Sequence, residues 1–341
     1  MTPCLRVLAP GAHSTIQDFG RFGFQAMGVP VSGALDPDCL RLANALVGNS
    51  GSTAGVEILY RGPRFEVMAD SARVAVGGLG AKIQILGDGA AAIDAWRSIT
   101  LSRGQVFRVD PGDGVSNCYL AVAGGFDLAP CLGSLSTYAR AGFGGFHGRP
   151  LQSGDDLPLT LGGAPRQADQ CLPKPPAFTA DAIRILWGLQ RDYFTEDSLN
   201  DLVTKPFTIL TDSDRMGYRI SGPDLAHRDG YDIVSDGIST GAIQVPGNGQ
   251  PIVLLADHQT TGGYPKIATV ISADLPALGR RRPGDEIRFQ AVGIEEAEQL
   301  RRDHEAHLVA LETSMAPVEI SSEPDLKALY ESNLISGAIA E

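Results

Sequence analysis

The chain has 341 residues, of which 43% are hydrophobic and 20% charged, and its 28 Lys and Arg against 40 Asp and Glu give a net charge of −12. That length accommodates two domains and that apolar share supplies a core, which excludes global disorder. The acid excess argues against nonspecific nucleic-acid binding, which needs a basic surface to displace counterions. Cysteines stand at 4, 39, 118, 131 and 171, an odd number with no C-x-x-C pair. This favours a reducing compartment over a disulfide framework. No charged-then-apolar leader precedes Cys4, and no run is long and apolar enough to cross a bilayer. A cytoplasmic protein without membrane contact is expected.

Residues 5–8 read as a first strand. After Pro10-Gly11 comes the polar run Ser14-Thr15-Ile16-Gln17-Asp18, then glycines at 20, 23 and 28, whose spacing permits tight turns or close approach to a ligand. Asp36-Pro37 opens a helix with an apolar face of Leu40, Leu42, Ala43, Leu46 and Val47, stopped at Gly48-Asn49. Glu57 follows between Val56 and Ile58 in a strand pattern. From Pro63 to Phe107 short strands alternate with turns at Gly77-Gly78, Gly87-Asp88-Gly89 and Arg103-Gly104, and Leu120 to Val122 reads as a buried strand. Residues 133–149 are rich in Gly and Arg with Tyr138, Phe143 and Phe146 between them, a composition for a long loop packed on a barrel. The Pro- and Gly-rich stretch from Gly162 to Phe178 lacks periodicity, as linkers do.

Ile183 to Leu186 begins a second set of strands, and Glu196 to Val203 forms a short helix capped by Thr195. Between Thr208 and Phe289, β-branched runs (242–245, 252–255, 267–271) alternate with turn clusters (246–251, 260–265). Polar residues collect at the strand ends, where a closed or nearly closed barrel brings them to one mouth. Ile294 to Leu311 is an amphipathic helix with a solvated charged face, and a second short helix is expected from Pro324 to Glu331. The expected organisation is an N-terminal β-barrel-like unit (1–165), a linker (166–180), a second barrel (181–291) and a helical tail (292–341). A weak echo between Arg103–Arg108, Ser153–Leu157 and Arg282–Arg288 fits two similar halves.

Several chemistries are missing from the sequence. There is no G-x-x-x-x-G-K-[ST] loop for nucleotide phosphate, no G-x-S-x-G elbow, and no lysine between methionines for biotin attachment. The six histidines lack convincing metal-ligand spacing, so no metal is expected, and His304 and His307 read as part of a solvated helix.

DSDRMGYR, GAIQVPGNGQPI and LADHQTTGGYPKIATVISADL resemble the family of the 5-oxoprolinase C subunit, also called KipA-like or allophanate hydrolase subunit 2. They are similar too to the carboxyltransferase region of biotin-dependent urea carboxylases. TIQDFGRFGFQAMGVPVSGALDP at 15–37, LAVAGGFD at 120–127, GSLSTYARAGFGGFHGRPLQSGD at 133–155 and the ending from Ser332 to Gly337 extend the resemblance over nearly the whole chain. It implies paired cyclophilin-like barrels, mostly β with short helices. It also implies one component of an ATP-dependent complex that opens 5-oxo-L-proline to L-glutamate. The implied partners are two further 5-oxoprolinase subunits, one of the B type (KipI-like) and one of the A type, with ATP bound on another chain. The same resemblance implies two alternatives. One is a carboxyltransferase component served by carboxybiotin on another polypeptide; the other is a regulatory antagonist of a histidine-kinase inhibitor.

Amide opening and carboxyl transfer both develop negative charge on an oxygen and move a proton at a nitrogen. Asp214 and Asp257 are the candidate carboxylates, with Arg215 beside them and Tyr218 able to pass a proton. Arg219, Gln244, Gln259, Thr260, Lys266 and the backbone of Gly262 and Gly263 are candidate substrate donors, and Tyr264 can stack on a ring. Gln17, Asp18 and Arg21 form a further polar cluster with Thr15. Each also has a structural role open to it: Asp214 and Arg215 as a turn cap or ion pair, Asp257 as a strand-end acceptor, Gln244 as a buried amide. Gln17, Asp18 and Arg21 could equally hold a loop together or face a partner.

Overall fold

The computed structural model describes residues 2–319 apart from 88, 114, 179 and 180. Its first unit is built from two sheets. One has six strands in the order Asp156–Pro158, Cys4–Ala9, Arg64–Val67, Val106–Asp110, Lys82–Leu86, Ala91–Asp94. The other has five, His13–Gln17, Gly55–Leu59, Asn117–Val122, Ser71–Gly77 and Ser98–Ser102. Inward positions of both sheets (Leu5, Val7, Val56, Ile58, Phe65, Phe107, Leu120) make one core between them. The strand Asn117–Val122 is buried on both faces because helix α1 (Pro37–Leu46) covers its outer side, packing Cys39 and Leu42 near Tyr119 and Ala43 near Ala121. Asp36 caps α1 through Oδ1, which accepts from Cys39 N at 3.2 Å. The polar run at 14–18 belongs largely to the strand His13–Gln17.

The second unit is a single eight-stranded sheet in the order Glu286–Ile287, Phe207–Ile209, Gly217–Ser221, Ile252–Leu254, Ala242–Gln244, Lys266–Val270, Ile183–Trp187, Phe289–Ala291. The two end strands flank Arg288 in sequence, so one stretch of chain supplies both edges and rolls the sheet into a barrel, leaving little open edge. Its interior is filled by Ile185, Phe207, Ile220, Ile243, Val253, Ile267 and Phe289. Helix α2 (Glu196–Thr204) is capped by Thr195, whose Oγ1 accepts from Ser198 N at 3.2 Å, and the short α3 (Leu275–Gly279) follows the strand Lys266–Val270. The mostly-β, two-barrel architecture expected from the sequence is the one observed.

Helix α4 (Ile294–Thr313) corrects one expectation. Its charged side is not simply solvated, because it lies on α1: Arg41 holds Glu312 through both oxygens at 2.8 Å and Glu305 at 2.7 Å. His304 Nε2 lies 3.0 Å from Asp38 Oδ1 with its side chain only 17% exposed. Just beyond α4, Ala316–Pro317 pairs with Gln170–Cys171 in a two-stranded ladder. The segment entering the second barrel and the segment leaving it thus both return to the first unit. The short helix expected at 324–331 lies outside the described residues. Among those described, no helix is long and apolar enough to cross a membrane, and no group of three or more His, Cys, Asp or Glu is placed to hold a metal.

Candidate functional site at the seam between the barrels

The two barrels meet through polar groups taken out of water. Glu57, at the centre of the strand Gly55–Leu59, is fully buried; its Oε2 accepts from Leu35 N at 2.9 Å and from Tyr119 Oη at 2.7 Å. Its Oε1 accepts from Nη1 of Arg215, which reaches across from the second barrel. Arg215 also donates to Asp257 Oδ2 at 2.8 Å and Oδ1 at 3.2 Å, and to the carbonyl of Gly33 at 2.6 Å. Burial works against the guanidinium charge, but the carboxylates of Asp257 and Glu57 outweigh it and hold the Arg215 pKa above its ordinary value. Burial, with Glu57 adding to it, pushes the Tyr119 phenol well up, so it keeps its proton and donates it. Ser116 Oγ and Asn117 Nδ2 donate to the carbonyl of Gly279 at 2.7 and 2.8 Å, adding direct links across the seam.

Two cavities open beside this clamp. The first, about 270 Å³, lies on the seam and is lined from the first barrel by His13, Thr15, Gln17 and Thr137 and from the second by Asp214, Arg215, Tyr218 and Asp257. Desolvation lowers the His13 pKa, and its Nδ1 has no partner. Gln17 Nε2 donates to Thr15 Oγ1 at 3.0 Å and to Thr137 O at 3.2 Å, while its Oε1 has none. The second cavity, about 350 Å³, is lined by Asp214, Arg219, Gln244, Gln259 and Tyr264 together with Arg140. Arg140 comes from the glycine-rich loop of the first barrel and meets Asp214 at 3.5 Å, so this pair lines both cavities.

The second cavity carries the more specific signal. Gln244 is 2% exposed; its Oε1 accepts from Gln259 Nε2 at 3.3 Å and its Nε2 has no partner. Lys266, directly across the ladder from Gln244, is buried too, and its Nζ has no hydrogen-bond acceptor; Asp236 is its nearest carboxylate at 3.5 Å. A buried unsatisfied donor costs about 1–3 kcal/mol, and Gln244 Nε2, which lines the cavity, suits a place where a ligand supplies the acceptor; Lys266 stands behind it, ion-paired with Asp236 and outside the lining. Gly262 gives Gln244 its room, since a Cβ there would lie 2.7 Å from Nε2.

The sequence candidates divide between these places. Asp214, Arg219, Gln244, Gln259 and Tyr264 come together in one cavity, and Asp214, Arg215, Tyr218, Asp257 and Gln17 in the other. Gly262 pairs with Asp236 in a short ladder, Thr260 O accepts from Ile238 N at 3.0 Å, and Gly263 O accepts from Ile233 N at 2.8 Å. The Tyr218 hydroxyl donates to Arg281 O at 3.0 Å, and burial pushes its pKa up. Asp18 and Arg21 line neither cavity. Asp18 accepts from Ser134 Oγ, Leu135 N and Gly20 N at 2.6, 2.6 and 2.8 Å. Arg21 is 1% exposed, donates to Ser136 O and stacks 4.9 Å from the Phe143 ring centroid. These two hold the loop 133–149, which follows its expected course without a regular element. Glu57, Tyr119, His13, Thr137 and Arg140 were not among the sequence candidates. Glu57 alone had a local signal, a charged residue inside an apolar strand run.

The family model of the carboxyltransferase domain, subdomains A and B, matches residues 27–291. The chain belongs to that carboxyltransferase-domain family. Over 307 residues it is 36% identical to the 5-oxoprolinase C subunit of Escherichia coli (strain K12), covering 90% of this chain and 97% of that protein. It is 37% identical over 302 residues to the 5-oxoprolinase C subunit of Haemophilus influenzae, covering 89% and 96%. It is also similar to the crystal structure of the K. lactis urea amidolyase, with a TM-score of 0.84 at 30% identity over 94% of this chain, but it spans only 20% of that much longer one.

Proposed function

We propose that the chain is the C subunit of an ATP-dependent 5-oxoprolinase that opens 5-oxo-L-proline to L-glutamate with partner subunits of the A and B types. The observation that carries this reading is the end-to-end similarity to two 5-oxoprolinase C subunits. The second cavity supplies compatible chemistry. The lactam carbonyl needs donors for its developing charge, and Gln244 Nε2, Gln259 and Arg219 stand there with the Asp214 carboxylate beside them. Lys266, across the ladder from Gln244, adds a positive charge behind it. The lack of a phosphate loop in the sequence supports ATP binding on another chain. Purified alone, the chain should not hydrolyse 5-oxoproline; mixed with its A and B partners and ATP, it should. Full activity of the isolated chain would overturn the multi-subunit reading.

A second reading is favoured by the family model and the fold similarity to urea amidolyase. In it, the paired cavities receive a carboxybiotin arm from another polypeptide and an amide acceptor. Activity that requires a biotinylated partner, and is lost on adding avidin, would select this reading.

A further inference from the structure

A third cavity, about 580 Å³, opens on the outer surface of the first barrel and is independent of the reading above. Three arginines line it: Arg61, Arg64 and Arg108. The fold forces two of them together. Arg64 and Arg108 are directly opposed on antiparallel strands, a register fixed by their inward neighbours Phe65 and Phe107, which are also opposed with ring centroids 5.5 Å apart. Like charges facing each other across a ladder destabilise it. Little nearby relieves this pair. Arg108 donates to Gln84 Oε1 at 2.7 Å and lies 3.9 Å from Asp110, while the side chains of Arg61 and Arg64 have no partner among the described residues. In a chain where acids outnumber bases 40 to 28, such convergence runs against the overall charge.

We propose that this cavity binds a phosphate oxyanion. Three guanidinium charges against the single carboxylate of Asp110 leave two positive charges unanswered. A phosphate group carries about −1.5 to −2 at neutral pH and offers several acceptor oxygens, which matches that excess; a carboxylate carries one charge and occupies one guanidinium fork. The floor is backbone from two sides, where Val109 N donates to Pro63 O at 3.0 Å and Ala12 N to Arg61 O at 2.9 Å, so the arginines stand on a fixed base. Tyr60 joins this cavity to the seam. It lines both, and it holds a left-handed φ of 63° that a bulky residue keeps only when its surroundings impose it. A phosphate held here sits one aromatic ring from the seam cavity.

The test is ³¹P NMR titration of the full chain with inorganic phosphate and, separately, with AMP, at constant ionic strength set with chloride. Wild type should broaden the phosphate line saturably. The double variant Arg64→Gln, Arg108→Gln should bind at least tenfold more weakly, whereas Arg103→Gln, which removes an exposed arginine paired with Asp70 elsewhere, should bind as wild type does. Without phosphate, the double variant should melt at or above the wild-type temperature, because a like-charge contact has been removed. A merely structural role for the pair predicts the opposite shift. Preference for AMP marks the ligand as a phosphate ester, and equal binding marks free phosphate; either ranking upholds the site. No saturable binding by wild type, or undiminished binding by the double variant, would overturn it.

Discussion

Glu57 and Tyr119 stand directly opposite each other on neighbouring strands, and the tyrosine hydroxyl donates to Glu57 Oε2 at 2.7 Å while Oε1 serves Arg215 of the other barrel. Removing one member of a buried charged pair leaves the other uncompensated, at a cost of about 3–5 kcal/mol. Glu57→Ala should lose that much in urea unfolding, and Tyr119→Phe a smaller roughly 1–3 kcal/mol, the loss of one buried hydrogen bond. A Glu57→Ala variant within about 1 kcal/mol of wild type would show that the clamp does not hold the barrels together.

Asp36 gives the protein a pH dependence of definite sign. Its carboxyl is fully buried at the start of α1, with Arg280 Nε at 3.2 Å, and Asp38 beside it engaged by both Arg280 and His304. Burial raises its pKa from 3.8 to about 6 in spite of Arg280. The folded state therefore holds this proton where the unfolded chain has released it. The contribution is fully present below 3.8 and is lost as pH rises through about 6. Asp36→Asn removes the titration, so unfolding free energies measured from about pH 4 to about pH 6.5 should shift in the variant's favour as pH rises. Parallel curves for the two proteins would rule the assignment out.

Gln244 and Lys266 should separate stability from activity. Each buries a donor without a hydrogen-bond acceptor among the described residues, although Lys266 Nζ keeps an ion pair with Asp236 at 3.5 Å. Lys266→Met keeps the aliphatic stem and leaves Asp236, 54% exposed, to water. Its melting temperature should equal or exceed that of wild type, as should that of Gln244→Leu. Hydrolysis by the reconstituted complex should fall on the order of a hundredfold for either. A variant that is less stable but fully active would mark these residues as structural only.

The Arg140–Asp214 pair is exposed, at 62% and 56%, and its loss should change stability by no more than about 1 kcal/mol. Because it stands between the two cavities, Arg140→Ala should instead move the Michaelis constant for 5-oxoproline by about threefold or more at little change in melting temperature. Unchanged kinetics would detach the pair from the site.

The local grammar of the chain was largely legible. The Thr195 cap, the strand runs at 242–245, 252–255 and 267–271 and the irregular loop at 133–149 follow from turn chemistry and periodicity. The grouping of Asp214, Arg219, Gln244 and Gln259 in one cavity was legible in part: Gln244 ends a strand and Asp214 and Gln259 lie in the turns beside strands of one barrel, whereas Arg219 sits in the middle of Gly217–Ser221. What joins the barrels was not. Glu57 and Arg215 are 158 positions apart and His304 and Asp38 are 266 apart, and no short-range pattern couples such residues. Asp18 and Arg21 show the converse difficulty: a polar cluster beside glycines has the same composition whether it binds a ligand or props up a loop, and only burial and partners tell the two apart.

Because α4 lies on α1, with Arg41 and Glu312 separated by 271 positions, the first barrel is finished by the last described helix of the chain. During synthesis the apolar cluster that joins α1 to Trp96 and Leu172 must wait, partly uncovered, until the whole second barrel has left the ribosome and Leu308 and Leu311 arrive. A fragment cut after the first barrel would carry that bare surface permanently. Such a piece should aggregate, however complete its own sheets are.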